Sequence, residues 1–209
     1  MKLRTLTSIA LIALLGGAFN ATTAQAKPKP VTLTHYFHGT QQLGEVGNET
    51  DGYGVMDATA PTGSSARSAG VTNYVGGPNT ECAGNALFPV WVGNIDGAPT
   101  GDATVELFLQ TAGSGSVEVR LFADVTEQAC NEDYPTPLGS ETFTVATGQT
   151  SAKVVIKKIN PKGKPVHSLM VQVTPVLGAP YIARVQYDAT TAASKITFSC
   201  LPKPGKKAC

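Results

Sequence analysis

The clearest pattern in this chain is the alternation of apolar and polar residues over short stretches. Val105, Leu107 and Leu109 alternate with polar positions, and Val117–Leu121 repeats the pattern after a small Gly/Ser-rich segment. A period of two buries one face of a β-strand and exposes the other. The pattern therefore predicts two strands, and residues 112–116 between them predict a hairpin turn.

Similar stretches recur along the chain, and no long segment repeats apolar residues at helical spacing. Turns containing Gly or Pro separate most of them. About nine strands, with no helices available for parallel crossovers, predict an all-β protein with a single antiparallel β-sandwich. The further predicted strands are Val31–His38, Leu87–Val92, Glu141–Ala146, Lys153–Ile159, Ser168–Thr174, Tyr181–Tyr187 and Lys195–Cys200.

Residues 40–86 differ from the rest because they are rich in Gly and poor in branched apolar residues. Such a segment cannot supply much core. It predicts long loops with short strands around Tyr53–Met56 and Val71–Tyr74. Long loops on a rigid frame are either functional or poorly ordered.

The first 26 residues have the pattern of a secretory signal peptide. Lys2 and Arg4 precede an apolar run from Leu6 to Phe19, and Ala24-Gln25-Ala26 fits a cleavage site. Cleavage would leave 27–209 as one β-sandwich domain, with its core in 30–200 and no later membrane span. The expected location is extracellular or at the cell surface. The remaining chain carries a net charge of −1. Proteins that bind nucleic acid usually carry a basic patch or a net positive charge, so this charge does not indicate nucleic-acid binding.

Four cysteines follow the signal peptide, and an even number in an exported chain indicates disulfides. Four cysteines allow three pairings. We favour Cys82–Cys130 and Cys200–Cys209, because the second pair closes a short loop containing Pro and Gly and would tether residues 201–209 as a tail. Zinc binding is disfavoured, since neither a C-x-x-C motif nor histidine spacing supports it.

No set of residues predicts catalysis. His35 and His38 lie three apart on a predicted strand, so they should point to opposite faces and cannot easily share a metal ion. Ser114 lies in Gly113-Ser114-Gly115, which lacks the frame and the strand-to-helix setting of a nucleophile elbow. Neither pattern supports a hydrolase.

Acidic residues at turns and strand ends suggest a structural calcium ion, since calcium takes several oxygen ligands that distant loops can supply. The predicted ligands are Asp57, Asp124 and Asp188. The chain has no contiguous EF-hand pattern. The alternative interpretation is that these are solvated loop carboxylates.

Aromatic side chains are candidates for sugar binding, because a flat ring stacks on a sugar face. Tyr53 and Tyr74 lie in the Gly-rich segment, and Tyr134 follows Cys130 closely. The alternative is that these rings cover the sandwich edges. Trp91, within an apolar strand, is predicted to lie in the core.

Lysines concentrate near residues 153–164 and again in the tail. They are Lys153, Lys157, Lys158, Lys162, Lys164, Lys203, Lys206 and Lys207. They predict a surface for an anionic polymer or lipid head group. Solubility and protection of an edge strand explain them equally well.

The strand pattern, ending in Arg184-Val185-Gln186-Tyr187-Asp188 and a last strand before Cys200, resembles jelly-roll modules of the galactose-binding-like type. The resemblance would extend from His35-Tyr36-Phe37-His38-Gly39 to Cys200. It implies an accessory domain of secreted bacterial proteins that binds sugars or surfaces, often with a structural calcium ion. The chain lacks a clear aromatic platform for sugar.

These observations favour a secreted, non-catalytic module that binds carbohydrate or a cell-surface polymer. The main alternative is a structural or protein-interaction component of the cell envelope. A second alternative is a hydrolase whose site no motif reveals.

Overall fold

The structure, a computed structural model, describes residues 28–39, 54–71, 89–123, 136–176 and 182–209. This part of the chain is all-β, as predicted. No helix long and apolar enough to cross a membrane occurs in these ranges. The ten strands are β1 Val31–His38, β2 Gly54–Asp57, β3 Arg67–Val71, β4 Val90–Thr111, β5 Gly115–Ala123, β6 Thr136–Val145, β7 Ser151–Ile156, β8 Val166–Pro175, β9 Ala183–Tyr187 and β10 Lys195–Pro202.

Strand β4 organises the fold because its two halves pair with different neighbours. Its first residues pair with β2 and β8, and residues 97–111 pair with β10, β7 and β9. The register with β8 shifts between Asn94 and Gly97. The prediction of one strand ending at Val92 and another beginning near Val105 is therefore wrong. Asn, Asp, Gly and Pro residues at 94–101 resemble a loop in sequence, yet pairing with β8 at Asn94 and Gly97 and with β10 at residues 97–100 keeps this stretch within β4.

The strands form a sandwich around one core. One group contains β6, β5, β8, the start of β4 and β2, and the other contains β7, the rest of β4, β9 and β10, with β1 on β10 and β3 on β9. Apolar side chains from both groups make one buried cluster. The described pairs are antiparallel except for β2 with β4, which are parallel.

The predicted hairpin between β4 and β5 is wrong. β5 pairs with β6 and β8, and none of its residues pairs with β4. The backbone N–H groups of Ala112 and Gly113 donate instead to the carbonyl of Ile182, at 2.9 and 3.2 Å. Residues 112–114 therefore carry the chain from one group of strands to the other. Both flanking strands alternate because each buries one face in the shared core.

The structure forms the predicted disulfide Cys200–Cys209. Cys200 is fully buried, and Cys209 packs against the core. The N–H of Asp96 donates to the carbonyl of Cys209 at 2.9 Å. The disulfide therefore does more than hold the tail, because it fastens residues 201–209 to the bend of β4.

Candidate functional site

Three of the four strand ends next to the segments predicted to carry ligand-binding loops lie at one corner of the sandwich. His38, at the end of β1, pairs with Val55 of β2, and Gly54 of β2 pairs with Trp91 of β4. Residues 40–53 join β1 to β2, and residues 72–88 lead into β4. The two segments are flanked by four strand ends, at His38, Gly54, Val71 and Val90. All of these except Val71 belong to neighbouring, paired strands.

Several predicted site residues lie outside the described ranges. They are Tyr53, Tyr74, Tyr134, Asp124, Cys82 and Cys130. The tyrosine ligand set and the Cys82–Cys130 pairing stay predictions, as does the signal peptide at residues 1–26. Asp57 and Asp188 are described, and both lie at the corner.

A cluster of polar side chains braces this corner, and we call it the His38 cluster: His38, Asp57, Thr59, Arg67 and Asp188. His38 Nδ1 lies 2.8 Å from Asp188 Oδ1, and Nε2 lies 2.9 Å from the carbonyl oxygen of Thr59, so both ring nitrogens are within hydrogen-bond distance of an acceptor. Asp57 Oδ1 lies 3.5 Å from His38 Nε2, and Arg67 Nε lies 3.4 Å from Asp188 Oδ2. The cluster ties together β1, β2, β3 and the turn after β9.

Both carboxylates are held in defined conformations. Asp188 has a φ of 65°, which is left-handed backbone that Asp tolerates better than most residues. Burial opposes ionisation of Asp57, but hydrogen bonds from the N–H and hydroxyl of Thr59, with nearby His38 and His35, outweigh it and lower its pKa. Asp57 is therefore held as a charged acceptor beside His38.

The bonding of His38 limits the chemistry of the cluster. A carboxylate and a carbonyl only accept hydrogen bonds, so both bonds form only when each ring nitrogen carries a proton. The doubly protonated ring makes both bonds and has no lone pair with which to act as a base, whereas the neutral ring donates only one of the two bonds. In either form the ring connects β1 with the turn after β9 and with Thr59, just after β2, so the cluster braces this corner.

The cluster also does not have the arrangement of a cation site. His38 and Arg67 occupy the two oxygens of Asp188, and Thr59 and His38 face Asp57. Among the described residues, no group of three or more His, Cys, Asp or Glu could hold a metal ion. Because Asp124 lies outside the described ranges, the calcium set as a whole stays a prediction.

Buried aromatic rings support the corner from inside. The rings of Phe37 and Trp91 stack with centroids 4.5 Å apart, and Tyr187 meets Trp91 edge-on at 5.4 Å. Trp91 is fully buried, which confirms its predicted place in the core. A Cβ on Gly54 would lie 2.3 Å from the indole, so β2 approaches this closely only with glycine there.

The two histidines of the H-x-x-H pair are separated by the strand, as predicted. His38 lies at the polar corner, whereas His35 is buried and meets Phe198 edge-on at 5.6 Å. Within the described ranges, His35 Nδ1 and Trp91 Nε1 are buried with no hydrogen-bond partner. Burial lowers the pKa of His35, and Asp57 opposes this only in part. His35 is thus a neutral core residue.

His35 should make folding sensitive to mild acid. Its pKa is 6.5 ordinarily and lower in the folded protein, so below pH 6.5 the unfolded chain binds the proton more readily. We expect the free energy of unfolding to fall as the pH drops through this window, by at most about 1.4 kcal/mol per unit for one proton. Urea unfolding at pH 7.5 and 5.5 measures the change.

His35→Phe should reduce the difference in the free energy of unfolding between the two pH values. The control His167→Gln, at an exposed position, should leave this difference as large as in the unchanged protein. If the free energy of unfolding of His35→Phe depended on pH as strongly as that of the unchanged protein, His35 would not be the source of the pH dependence.

No sequence pattern predicts the His38–Asp188 contact, because 150 positions separate the two residues. No motif marks Arg67 either. A histidine and an aspartate at strand ends are each unremarkable alone, and only the pairing of β1 with β2 and of β3 with β9 joins them.

The fold is similar to parts of longer solved structures, although no protein-family profile and no curated protein matches this chain. An α-amino acid ester hydrolase matches with a TM-score of 0.50 and 13% identity, over 84% of this chain and 36% of the hydrolase chain. An aminopeptidase from a marine sediment Thaumarchaeota archaeon gives 0.49 and 12%, over 80% and 37% of the chains. A CocE/NonD family hydrolase from Staphylococcus aureus gives 0.48 and 10%, over 83% and 37%.

This chain thus spans little more than a third of the length of each of these proteins. At 13% identity, the likeness to the ester hydrolase shows a shared fold and no shared activity.

Proposed function

We propose that this chain is an exported, non-catalytic module that binds carbohydrate or a cell-surface polymer through loops at the His38 corner. The observation that carries the proposal is the convergence of His38, Gly54 and Trp91, since residues 40–53 connect the first two and residues 72–88 precede β4, which contains the third. Loops held by a rigid scaffold commonly form binding sites. Tyr53 and Tyr74 are the proposed ligand contacts, with Tyr134 as a further candidate.

Two further observations support a binding role over catalysis. Both ring nitrogens of His38 lie within hydrogen-bond distance of oxygen atoms of Asp188 and Thr59, which fits a bracing role for the His38 cluster. In addition, the fold recurs as about a third of a longer ester hydrolase chain, which fits a module rather than a whole enzyme. The galactose-binding-like resemblance belongs to the same proposal.

A glycan array and a pull-down with insoluble cell-wall polymers test the proposal directly. We expect retention of at least one glycan or polymer, and a loss of affinity of about tenfold or more in Tyr53→Ala or Tyr74→Ala, because a stacked ring contributes on the order of 1–2 kcal/mol. Tyr36→Ala is the matched control, since Tyr36 lies on β1 with its ring near Lys195.

Two outcomes would contradict the proposal. The first is an empty array together with an empty pull-down for the folded chain. The second is hydrolysis of ester or peptide substrates by the purified protein. If substitution of a single polar residue abolished this activity, the protein would be an enzyme.

A further inference from the structure

The two lysine-rich segments of the sequence meet at the bend of β4. Gly97 pairs with Val166 at the start of β8 on one side and with Pro202 at the end of β10 on the other. Neighbouring strands lie about 4.8 Å apart, so Val166 of the first segment and Pro202 of the second lie only about 10 Å from each other, on either side of Gly97. We call these two segments together the basic surface.

The basic surface has far more positive than negative charge. Residues 157–167 and 201–209 contain no Asp or Glu. The carboxylates that reach it come from β4, where Asp102 accepts from Lys157 at 2.9 Å and Asp96 pairs with Lys203. The lysines of the basic surface that make no ion pair with a described residue are Lys158, Lys162, Lys164, Lys206 and Lys207.

The structure holds this charge in place. The disulfide Cys200–Cys209 closes the tail, and the N–H of Lys206 donates to the carbonyl of Lys203 at 2.9 Å. In the other segment, Asn160 Oδ1 accepts from the N–H of Gly163 at 2.8 Å. Both segments are therefore fixed turns, and a partner would lose less conformational freedom on binding than with mobile arms.

The chemistry of the surface distinguishes between classes of anionic partner. Neither exposed large apolar residue of the described ranges, Val55 or Val176, belongs to it, whereas binding at a bilayer usually inserts apolar side chains. It contains no Phe, Tyr or Trp on which bases could stack. Fixed cations without rings or apolar anchors suit a chain that carries repeated negative charges on sugars.

We propose that the basic surface binds an acidic polysaccharide. This inference rests on the proposed function, since it names the class of polymer. Gly97 lies six residues along β4 from Trp91, which corresponds to about 20 Å of strand. A polymer longer than this distance can contact the basic surface and the His38 corner together.

Dextran sulfate and uncharged dextran of equal length provide the test. We expect the whole chain to bind dextran sulfate, with an affinity that falls as salt is raised, and to bind dextran much more weakly. Lys164→Gln with Lys206→Gln should lower the affinity about tenfold. The control is Lys153→Gln with Lys195→Gln, which removes equal charge from the two partners of Glu106 and should change affinity less than threefold.

The outcomes separate this inference from the proposed function. Equal affinity in the two double variants would overturn the inference, while glycan binding that depends on Tyr53 or Tyr74 would leave the proposed function standing. Tighter binding to a DNA oligonucleotide or to anionic phosphatidylserine vesicles than to dextran sulfate would also overturn it. One combined result would support the basic surface and reject the loop site. In that result, only Lys164→Gln with Lys206→Gln lowers the affinity for dextran sulfate, and the glycan array is empty.

Discussion

Trp91→Ala is expected to lower the free energy of unfolding by about 3–5 kcal/mol, the largest effect of a single side chain in this fold. Trp91 is fully buried, stacks on Phe37 and contacts Tyr187. Removing the indole leaves a cavity between β1, β2 and β9, and a well-packed core collapses only partly around such a space. Urea unfolding at pH 7.5 measures the loss.

The matched control for Trp91→Ala is Val55→Ala. Val55 lies on β2 beside Gly54, and its side chain is 50% exposed. We expect a change within about 0.5 kcal/mol. Equal effects of the two substitutions would contradict the description of Trp91 as the centre of the packing beneath the corner.

Breaking the Cys200–Cys209 disulfide should have the second largest effect. The cysteines are nine positions apart, and closing a loop of this size stabilises the folded state by about 3 kcal/mol in the chain-entropy account. Cys209→Ser also leaves the Cys200 thiol in the core. We expect a loss of about 2–3 kcal/mol in urea unfolding, with Ala208→Ser in the same tail as a near-neutral control.

Gly97 provides an internal check of this second prediction. A Cβ at this position would lie 2.5 Å from Cys209 Sγ and 2.6 Å from Cys200 Sγ, so Gly97→Ala must displace the disulfide. Gly97→Ala should lower the free energy of unfolding less in a Cys209→Ser variant than in the unchanged protein, because the clash with the disulfide is partly relieved in that variant. Additive effects would show that the disulfide is not seated against β4 in this way.

The outcome of these experiments bears on function as well as on stability. The first tests the support beneath the corner from which the proposed ligand loops depart. The second tests the closure that holds Lys203 and Lys206 in the basic surface. A Cys209→Ser variant that stays folded should therefore also bind dextran sulfate more weakly than the parent.

The strand positions could largely be predicted from the sequence, because alternation is a local property. Val31–His38 agrees with β1 at both ends, and the two partners of the short-range disulfide Cys200–Cys209 were paired correctly. Tyr187 shows the limit of local reasoning. Burial raises its pKa to about 12, with Arg67 opposing and Asp188 adding to the shift, and neither its depth nor its contact with Trp91 follows from its position in a strand.

The sequence by itself determined an all-β chain, a core built from alternating strands and a tail closed by cysteines. Each of these depends on residues close together in the chain. Only the tertiary structure decided that β4 is one continuous strand, that His38 meets Asp188, and that two lysine-rich segments flank Gly97. These features depend on which strands pair, and pairing is selected by the fit of the whole core rather than by any one segment.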